Sequence, residues 1–564
     1  MPKKLPAFVA GGITLIMIAL ASTAVLADGV KMPKRLTPLT EYTDRIIVRL
    51  KDEPASSKRQ AMSQSKAQSL SAKAGAHLLP VRAGGDQTQI VRLTHPMPLA
   101  EVHKITAQLQ QDPTVLYAEP DRRKHAQATP TDPRYAQQWY LFESMGGINA
   151  PSAWDITTGS SSIVVAVIDT GVIRTNPDLQ SRLLQGYDFI GSDNDLTRSD
   201  GDSGTLFATA NDGNGRDNDP SDPGNWIAVG EAGVSPFEDC TQPEDSSWHG
   251  THVTGILGAA ANNGFGIAGI DWNARILPIR ALGKCGGYTS DIMDAARWAA
   301  GITVPGVPNN PTPAHVINLS LGGSGSCSAF EQGTINQILS TTNVRAIVTS
   351  AGNGGGSASN NSPGNCANVI NVGATDRDGN LPAYPNRGLA VAISAPGGND
   401  NTSSFNGSGI ISTSNCGETS PILSAAACSN AGDQLATGSP YIAFFFVGTS
   451  AATPQVSGAV SLMLAVNPTL SASDIYFILR GAARAFPGGS NCSPSLCGAG
   501  ILDVSAAVRE AARRQGGINA PTSDGDGGGG GGGGCVTGGG VADISLPLLA
   551  LGALLGRRRR GKRA

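Results

Sequence analysis

The stretch IVVAVIDTG (Ile163–Gly171) is the part of the sequence that decides the fold. An unbroken apolar run, rich in β-branched residues, ends abruptly at a carboxylate, a hydroxyl and a glycine. A continuous apolar run of this kind predicts a strand that is buried on both faces, as in a parallel sheet. Polar residues directly after such a strand lie at the carboxyl edge of the sheet, where α/β proteins bind their ligands.

Apolar runs and helical patterns alternate through the middle of the chain. Further strands are predicted at Val316–Leu321, Ala346–Thr349, Val369–Val372 and Val391–Ile393. Helices are predicted at Thr251–Ala261, Asp291–Ala300, Phe330–Ser340 and Thr453–Val466. This alternation predicts an α/β fold, a three-layer sandwich with a mostly parallel central sheet and helices on both faces.

Three residues carry groups that suit nucleophilic catalysis. Asp169 ends the first strand, His249 opens the segment HGTHVTG, and Ser450 lies in the segment GTSAATP before a helical pattern. Each alone has an ordinary explanation: a turn residue, one histidine of a metal pair, or a helix N-cap. The Glu of the zinc signature His-Glu-x-x-His is missing, and Ala452 breaks the Gly-x-Ser-x-Gly motif of the α/β-hydrolases.

Together the three residues predict a serine nucleophile with its base. A serine hydroxyl is a weak nucleophile at neutral pH and needs a general base beside it. An imidazole with a pKa of about 6.5 suits that role, and a buried carboxylate fixes its tautomer and stabilises the imidazolium. The chain order Asp, His, Ser is that of subtilisin and differs from the orders in chymotrypsin and the α/β-hydrolases.

On these segments the chain resembles the subtilisin-like serine proteases (the subtilase family), over most of 132–508 and the segment before it. The resemblance implies that Asp169 orients the base, that His249 is the base, and that Ser450 forms an acyl-enzyme without a catalytic cofactor. The segment SAGN ends at Asn353, which matches the family's oxyanion donor and becomes the fourth catalytic residue. The segment INLSLGG is similar to the strand that binds extended peptides, with these binding residues: Ser320, Leu321 and Gly322.

An acidic stretch lies between Asp169 and His249, which are farther apart than in compact family members. Its clustered side-chain oxygens suit calcium, and subtilases often bind structural calcium. The sequence therefore predicts a Ca²⁺ site with these ligands: Asp212, Asn214, Asp217, Asp219 and Asp222. The stretch fails the EF-hand pattern at Arg216 and Pro223, and a solvated acidic loop is the alternative.

The N-terminus has the pattern of a secretory signal peptide. Lys3 and Lys4 precede an apolar run, and small residues follow up to Ala27. This pattern predicts export and cleavage after Ala27, with an uncleaved membrane anchor as the alternative.

The next segment, residues 28–131, combines strand patterns with one helical pattern. The strands are predicted at Arg45–Leu50, Gln89–Leu93 and Val115–Pro120, and the helix at Ala100–Gln110. A separate binding module is one interpretation. Because the segment ends just before the catalytic candidates, it resembles instead the pro-segments that fold and then inhibit subtilases. We expect a small α+β propeptide domain, removed between about His125 and Asp132.

The C-terminus combines a glycine-rich tract, a short apolar stretch and an arginine cluster. The apolar stretch Ile544–Gly556 is shorter than a membrane-spanning helix, and Arg557–Arg560 follow it. This arrangement resembles the C-terminal sorting tags of Gram-negative exported proteins, which hold a protein at the inner membrane until they are removed. A plain flexible linker with a weak anchor is the alternative.

Export places the cysteines in an oxidising compartment, where disulfides persist. With Cys535 set aside, eight cysteines remain, and no pair has zinc-finger spacing. We expect sequential disulfides, favoured by their short loops: Cys240 with Cys285, Cys327 with Cys366, Cys416 with Cys428, and Cys492 with Cys497.

The net charge of −3 is a sum over unlike segments. Residues 28–131 carry 16 basic and 10 acidic side chains, whereas residues 132–516 carry 17 basic and 31 acidic ones. The acidic main segment argues against a nucleic-acid partner, and the opposite charges favour docking of the propeptide on the enzyme.

The sequence as a whole predicts a secreted, monomeric, self-processing serine endopeptidase. Its partners would be protein or peptide substrates, its own propeptide as inhibitor, and the export and sorting machinery. Four segments are expected: a signal peptide at 1–27, a propeptide at 28–131, a catalytic domain at 132–516 and a sorting tag at 517–564. An inactive binding or adhesion protein of the same fold, and an esterase, are the alternatives.

Overall fold

The computed structural model describes residues 42–51, 61–84, 88–122, 129–193, 207–399, 408–424 and 441–515. The predicted signal peptide, Cys428, Cys535, the C-terminal tag and part of the predicted processing stretch lie outside these residues. Within the described part of the chain, no helix is long and apolar enough to cross a membrane.

The N-terminal part forms a four-stranded antiparallel sheet in the order β2-β3-β1-β4, together with two helices. Its elements are β1 (Tyr42–Leu50), α1 (Gln64–Ala74), β2 (Leu79–Ala83), β3 (Thr88–Pro98), α2 (Leu99–Leu109) and β4 (Val115–Pro120). The α+β architecture agrees with the sequence analysis, which found three of the strands and α2 but gave no indication of α1 or β2.

Alternating and helical apolar positions build the core of this α+β part. In β1, Ile46, Val48 and Leu50 are buried because they share one face of the strand. In α2, Val102 and Leu109 are buried on one face of the helix. Helix α1 buries mainly alanines, and β2 is mostly exposed, so neither has a clear hydrophobic period.

Seven of the described strands form a parallel sheet in the order β13-β12-β10-β8-β5-β7-β6. They are β5 (Val164–Asp169), β6 (Tyr187–Asp188), β7 (Arg275–Arg280), β8 (Val316–Leu319), β10 (Ala346–Ser350), β12 (Ile370–Thr375) and β13 (Ile393–Pro396). Two antiparallel pairs lie outside this sheet: β9 (Gly323–Ser324) with β11 (Asn361–Ser362), and β14 (Ile410–Asn415) with β15 (Tyr441–Phe446).

Helices precede, connect and follow the parallel strands. They are α3 (Trp139–Phe142), α4 (Ala150–Trp154), α5 (His249–Gly258), α6 (Thr289–Ala299), α7 (Ala329–Thr341), α8 (Thr449–Val466), α9 (Ala472–Ala482), α10 (Pro494–Cys497) and α11 (Val504–Gln515). The predicted helices are present with shifted ends, and α8 begins four residues earlier than the sequence suggested.

The central strand β5 is buried on both faces, as its unbroken apolar run predicted. Val165 and Val167 join the core that contains α5, α8, α9 and α11. Ala166 and Ile168 join the opposite core, which contains α6 and α7. The sheet therefore lies between two helical layers, and the predicted three-layer α/β architecture is confirmed.

Three of the four predicted disulfides join described residues: Cys240 with Cys285, Cys327 with Cys366, and Cys492 with Cys497. Cys416 is also disulfide-bonded, and its predicted partner Cys428 lies outside the described residues. The first pair fastens the long segment between β6 and α5 to the loop after β7.

Candidate active site

The predicted catalytic residues meet at the carboxyl ends of the parallel strands. Asp169 is the last residue of β5, and Ser320 directly follows β8. A cleft of about 620 Å³ opens at this edge of the sheet. Its lining includes His249, Asn353, Ser450, Ser320, Leu321 and Gly322. Asp169 lies behind this surface, in contact with His249.

Asp169 and His249 are in direct contact although they are 80 positions apart in the sequence. Asp169 Oδ1 lies 2.7 Å from His249 Nδ1 and also accepts a hydrogen bond from the Thr170 N–H at 2.8 Å. The carboxylate is 1% exposed, and its Oδ2 has no hydrogen-bond partner among the described residues. A carboxylate at Nδ1 places the hydrogen of a neutral imidazole on that nitrogen, which leaves Nε2 as a proton acceptor.

The charge environment of His249 suits a general base. Burial alone would lower the pKa of His249, but the charge and hydrogen bond of Asp169, with the charge of Asp222, raise it above its ordinary value. The side chain is still 23% exposed, so the cleft reaches it. A base of this kind is protonated and inactive at low pH, and it becomes active as the pH rises through its pKa.

His252 lies one turn further along α5 and has a different environment. Its Nε2 bonds with the Ile410 carbonyl at 3.1 Å, and its ring centroid is 3.8 Å from that of Phe446. Burial lowers the pKa of His252 to about 3, so the ring stays neutral. This packing agrees with the structural role that the resemblance implied.

Ser450 is the second residue of α8 and is held by reciprocal bonds to Ser320. The Ser450 hydroxyl donates to the Ser320 carbonyl at 3.0 Å, and the Ser320 hydroxyl donates to the Ser450 carbonyl at 3.0 Å. That carbonyl is available because Pro454, its expected partner in the helix, has no N–H. Ser320 therefore replaces the hydrogen bond that the proline removes.

Asn353 is oriented by the residue that precedes the nucleophile. Its Oδ1 accepts from the backbone N–H of Thr449 at 3.0 Å and from the Thr449 hydroxyl at 2.9 Å. Because both contacts are donors, the amide oxygen must face Thr449, and the amide NH₂ remains for a ligand in the cleft. A Cβ on residue 448 would lie 3.2 Å from Asn353 Nδ2, so Gly448 allows this close approach. The sequence analysis singled out Asn353 but not Thr449.

The predicted binding residues follow β8 along one wall of the cleft. Ser320, Leu321 and Gly322 all line it. A Cβ on residue 322 would lie 2.5 Å from Asn361 Nδ2, so only glycine fits between that side chain and the cleft. A glycine at the edge of a cleft lets a peptide backbone approach closely, and an extended peptide can then bind by main-chain hydrogen bonds.

The five predicted calcium ligands do not converge. No three of the four carboxylates, all of them described, have oxygens within 4.8 Å of one another. Asp212 forms an ion pair with the buried Arg280 at 2.8 Å, and Asn214 donates to Asp217 at 2.8 Å. Asp219 lies in an exposed loop, where it accepts from Ser221. The fifth, Asp222, is turned inward and accepts from Thr170.

Two aspartates outside this stretch are buried against one loop. Asp178 is fully buried and Asp132 is 4% exposed. Burial raises the pKa of Asp132, and it raises the pKa of Asp178 to about 7, with the charge of Asp132 adding to the effect. Both carboxylates accept hydrogen bonds from the loop at residues 262–267, including 2.8 Å from Asn263 Nδ2 to Asp178. The sequence analysis missed this pair because 46 positions separate two isolated aspartates.

The same loop approaches the Asp178 carboxylate closely at a glycine. A Cβ on Gly266, whose φ is +57°, would lie 1.9 Å from Asp178 Oδ2. Among the described residues, no basic side chain forms an ion pair with Asp178. Two buried carboxylates without a cation are costly, and carboxylate oxygens are among the ligands that Ca²⁺ prefers.

The chain is similar to known proteases over most of its length. A model of the subtilase family matches residues 160–500. The chain is 42% identical over 424 residues to the extracellular protease of Xanthomonas campestris pv. campestris, covering 75% of this chain. It is 36% identical over 437 residues to the extracellular basic protease of Dichelobacter nodosus, covering 76% of this chain. The chain spans 64% of the length of each of these two relatives.

A solved structure gives the same result for the fold. Proteases from Pseudoalteromonas arctica match with 40% sequence identity and a TM-score of 0.58. The match covers 68% of this chain and 100% of that chain. The sheet and helices described above are therefore a fold shared with known proteases.

Proposed function

Because the chain belongs to the subtilase family, we propose that it is a secreted serine endopeptidase that cleaves proteins through an acyl-enzyme on Ser450. The observation that carries this proposal is the 2.7 Å contact between Asp169 and His249, beside a cleft that His249 shares with Ser450 and Asn353. Secretion is supported by the printed names of the two relatives, both described as extracellular.

In the first step, His249 removes the hydroxyl proton of Ser450 while Oγ attacks the carbonyl carbon of the scissile bond. For this, Oγ turns away from the Ser320 carbonyl, to which it donates in the free protein. Asp169 stabilises the imidazolium that forms, because its buried charge lies at Nδ1.

The negative charge that develops on the substrate oxygen needs donors. The amide NH₂ of Asn353 is one, since Thr449 engages its oxygen. The backbone N–H of Ser450 is the second, because the second residue of a helix has no acceptor for its N–H within that helix. Donors that are already in place need no reorganisation during the reaction.

The second half of the reaction restores the enzyme. His249 gives its proton to the leaving nitrogen, the C–N bond breaks, and the fragment with the new amino terminus departs. Water then loses a proton to His249 and attacks the acyl carbon, which releases the other fragment and restores the Ser450 hydroxyl. The chain's own residues supply every proton transfer, so we propose no catalytic cofactor.

We further propose that the α+β part at 42–120 belongs to a propeptide, so that the protein is a self-processing zymogen. Its fold is a compact sheet with two helices, and the segment 28–131 is basic whereas the following segment is acidic. We also propose, from the sequence, that the segments end at residues 27, 131 and 516. Export, removal of the tag and a monomeric state are proposed on the same basis.

The direct test of the proposed function uses a peptide blocked at both ends, with a quenched fluorophore across its middle. The purified wild-type protein should cleave it, and a serine-directed sulfonyl fluoride should stop the cleavage. An inactive binding protein would leave the peptide intact, and an esterase would hydrolyse a matched ester but not the peptide. Either of these results would overturn the proposal.

Asn353 variants test the oxyanion contact. Asn353→Ala is expected to lower kcat by about 10²- to 10³-fold with little change in KM, because the donor acts mainly in the transition state. Asn353→Asp is the matched variant: it still accepts from Thr449 but cannot donate, so kcat should fall at least as far. Steady-state kinetics on the quenched peptide measures both. A wild-type kcat in Asn353→Asp would contradict this role.

We also propose that structural calcium is bound at Asp132 and Asp178 rather than at the predicted residues 212–222. When bound, the ion would neutralise two buried carboxylates. Removing calcium with a chelator is expected to lower the thermal midpoint by about 5 °C. This is the shift expected when a ligand present at about 100 times its Kd is removed from a protein of this size. Asp178→Asn should abolish this response, whereas Asp217→Asn in the exposed loop should keep it. If Asp217→Asn abolished the response and Asp178→Asn kept it, the calcium would be bound at the residues predicted from the sequence instead.

A further inference from the structure

A second carboxylate lies behind the catalytic pair. Asp222 is 2% exposed, although it belongs to the stretch predicted to bind calcium. Its Oδ2 accepts from the Thr170 hydroxyl at 2.6 Å, and its Oδ1 accepts from the Gly224 N–H at 2.9 Å. Both carboxylate oxygens of Asp222 therefore accept hydrogen bonds from residues inside the protein.

Thr170 connects this carboxylate to the start of α5. The Thr170 hydroxyl donates its hydrogen to Asp222 and accepts from the Gly250 N–H at 3.0 Å. A hydroxyl has only one hydrogen, so Asp222 fixes its direction and turns the oxygen lone pairs toward Gly250. Thr170 follows Asp169 at the end of β5, and Gly250 follows His249 in the first turn of α5. These hydrogen bonds therefore connect the end of β5 to the start of α5, the two elements that carry Asp169 and His249.

The two elements also touch so closely that their relative placement depends on small contacts. A Cβ on Gly250 would lie 2.1 Å from the Gly171 carbonyl oxygen and 3.1 Å from Asp169 Cβ. No side chain therefore separates the start of α5 from the end of β5. Two hydrogen bonds connect the start of α5 to the residues after β5. The Gly250 N–H donates to the Thr170 hydroxyl, and the Ile173 N–H donates to Thr251 Oγ1 at 2.9 Å.

Building on the proposed peptidase function, we propose that Asp222 is a positioning residue for His249. Through Thr170 it holds the start of α5 against β5, and its negative charge stabilises the imidazolium that forms during the reaction. In the sequence Asp222 belongs to an acidic stretch, whereas its contacts in the structure place it beside the catalytic pair.

Among the described residues, three other ionisable groups act on His249 or Asp222. Asp169 faces His249 from β5, and His252 lies on the same helix as His249. Arg280 acts on Asp222 from β7 and lowers its pKa, whereas burial and the charge of Asp169 raise it, to about 6 overall. Asp222 is therefore ionised in the range above pH 6 where His249 loses its proton.

The test is the pH profile of kcat/KM for Asp222→Asn on the quenched peptide. Removing the charge is expected to shift the acid limb to lower pH and to lower kcat about tenfold with KM unchanged, since one of two hydrogen bonds to a charged group is lost. Asp239→Asn removes the same charge from an exposed site and should reproduce the wild-type profile. Titration with a sulfonyl fluoride measures the concentration of folded, reactive active sites, and kcat is calculated from that concentration.

A second pair of variants covers a failure of Asp222→Asn to fold. Thr170→Val removes the hydroxyl at constant size and should lower kcat, and Thr170→Ser, which keeps the hydroxyl, should recover most of that loss. An unshifted acid limb in Asp222→Asn, or a wild-type kcat in Thr170→Val, would overturn the inference. A wild-type protein without peptidase activity would instead overturn the proposed function itself.

Discussion

Replacing Ser450 with alanine is expected to lower kcat by about 10⁶-fold, the size of loss measured when the nucleophile of a family member is removed. The hydroxyl lies in the cleft with His249 and Asn353, the base and the oxyanion donor of the proposed reaction. Steady-state hydrolysis of the quenched peptide measures the loss. If the protein processes itself, the variant should also keep its full precursor length when examined by intact-mass measurement.

Ser457→Ala is a suitable control for this prediction. Ser457 lies on the same helix, is fully buried and donates to Asn318 at 2.8 Å, and it is not one of the residues that line the cleft. It should mature and retain most of its kcat. A Ser450→Ala protein that is processed normally at low concentration would show that another nucleophile or another protease acts, which contradicts the account.

Replacing Asp169 with asparagine is expected to lower kcat by about 10⁴-fold. Asp169 Oδ1 accepts hydrogen bonds from both His249 Nδ1 and the Thr170 N–H, whereas Oδ2 has no partner in the part of the chain that the structure describes. An asparagine can therefore keep its oxygen in the same place and put its NH₂ at the empty position. The geometry is preserved and only the charge is lost, so the variant isolates the stabilisation of the imidazolium.

The pH dependence gives this second prediction a separate check. The charge of Asp169 raises the pKa of His249, so its removal should move the acid limb of kcat/KM to lower pH. Thermal unfolding should show that the variant remains folded. A loss below tenfold, or an acid limb that stays in place, would show that His249 does not depend on this carboxylate.

The layered fold was predictable because β5 has a continuous apolar run. A strand that contributes Val165 to one core and Ala166 to the other needs apolar residues at every position. Strand β7 was not predicted, because its ends are arginines and Pro278 interrupts it, and proline normally argues against a central strand. Helix α8 begins at Thr449, four residues before the predicted start, and it contains Pro454, although proline is normally found only in the first turn of a helix.

The residues proposed for catalysis were identified from motifs, but the contacts that support them were not. Asp169, His249 and Ser450 lie in short segments whose chemistry is recognisable without coordinates. Thr449 and Ser320 act through contacts between distant segments, for example the reciprocal bonds between Ser320 and Ser450, 130 positions apart.

Charge clustering in the sequence did not show which aspartates are buried. It placed Asp222 with exposed aspartates, although this residue is buried against Thr170. It also missed Asp132 and Asp178, which only the folded chain brings to one loop. A cluster in the sequence shows where acidic groups are frequent, whereas burial and partners decide which of them need a cation.

The most direct test of the central claim is covalent labelling of the wild-type protein with a fluorophosphonate, followed by peptide mapping with mass spectrometry. The reagent reacts with a serine whose hydroxyl is activated by a neighbouring base. The account predicts one label per molecule, on Ser450, and its loss in a His249→Ala variant. Absence of labelling at Ser450, or equal labelling of the His249→Ala protein, would contradict the assignment of these residues as a catalytic pair.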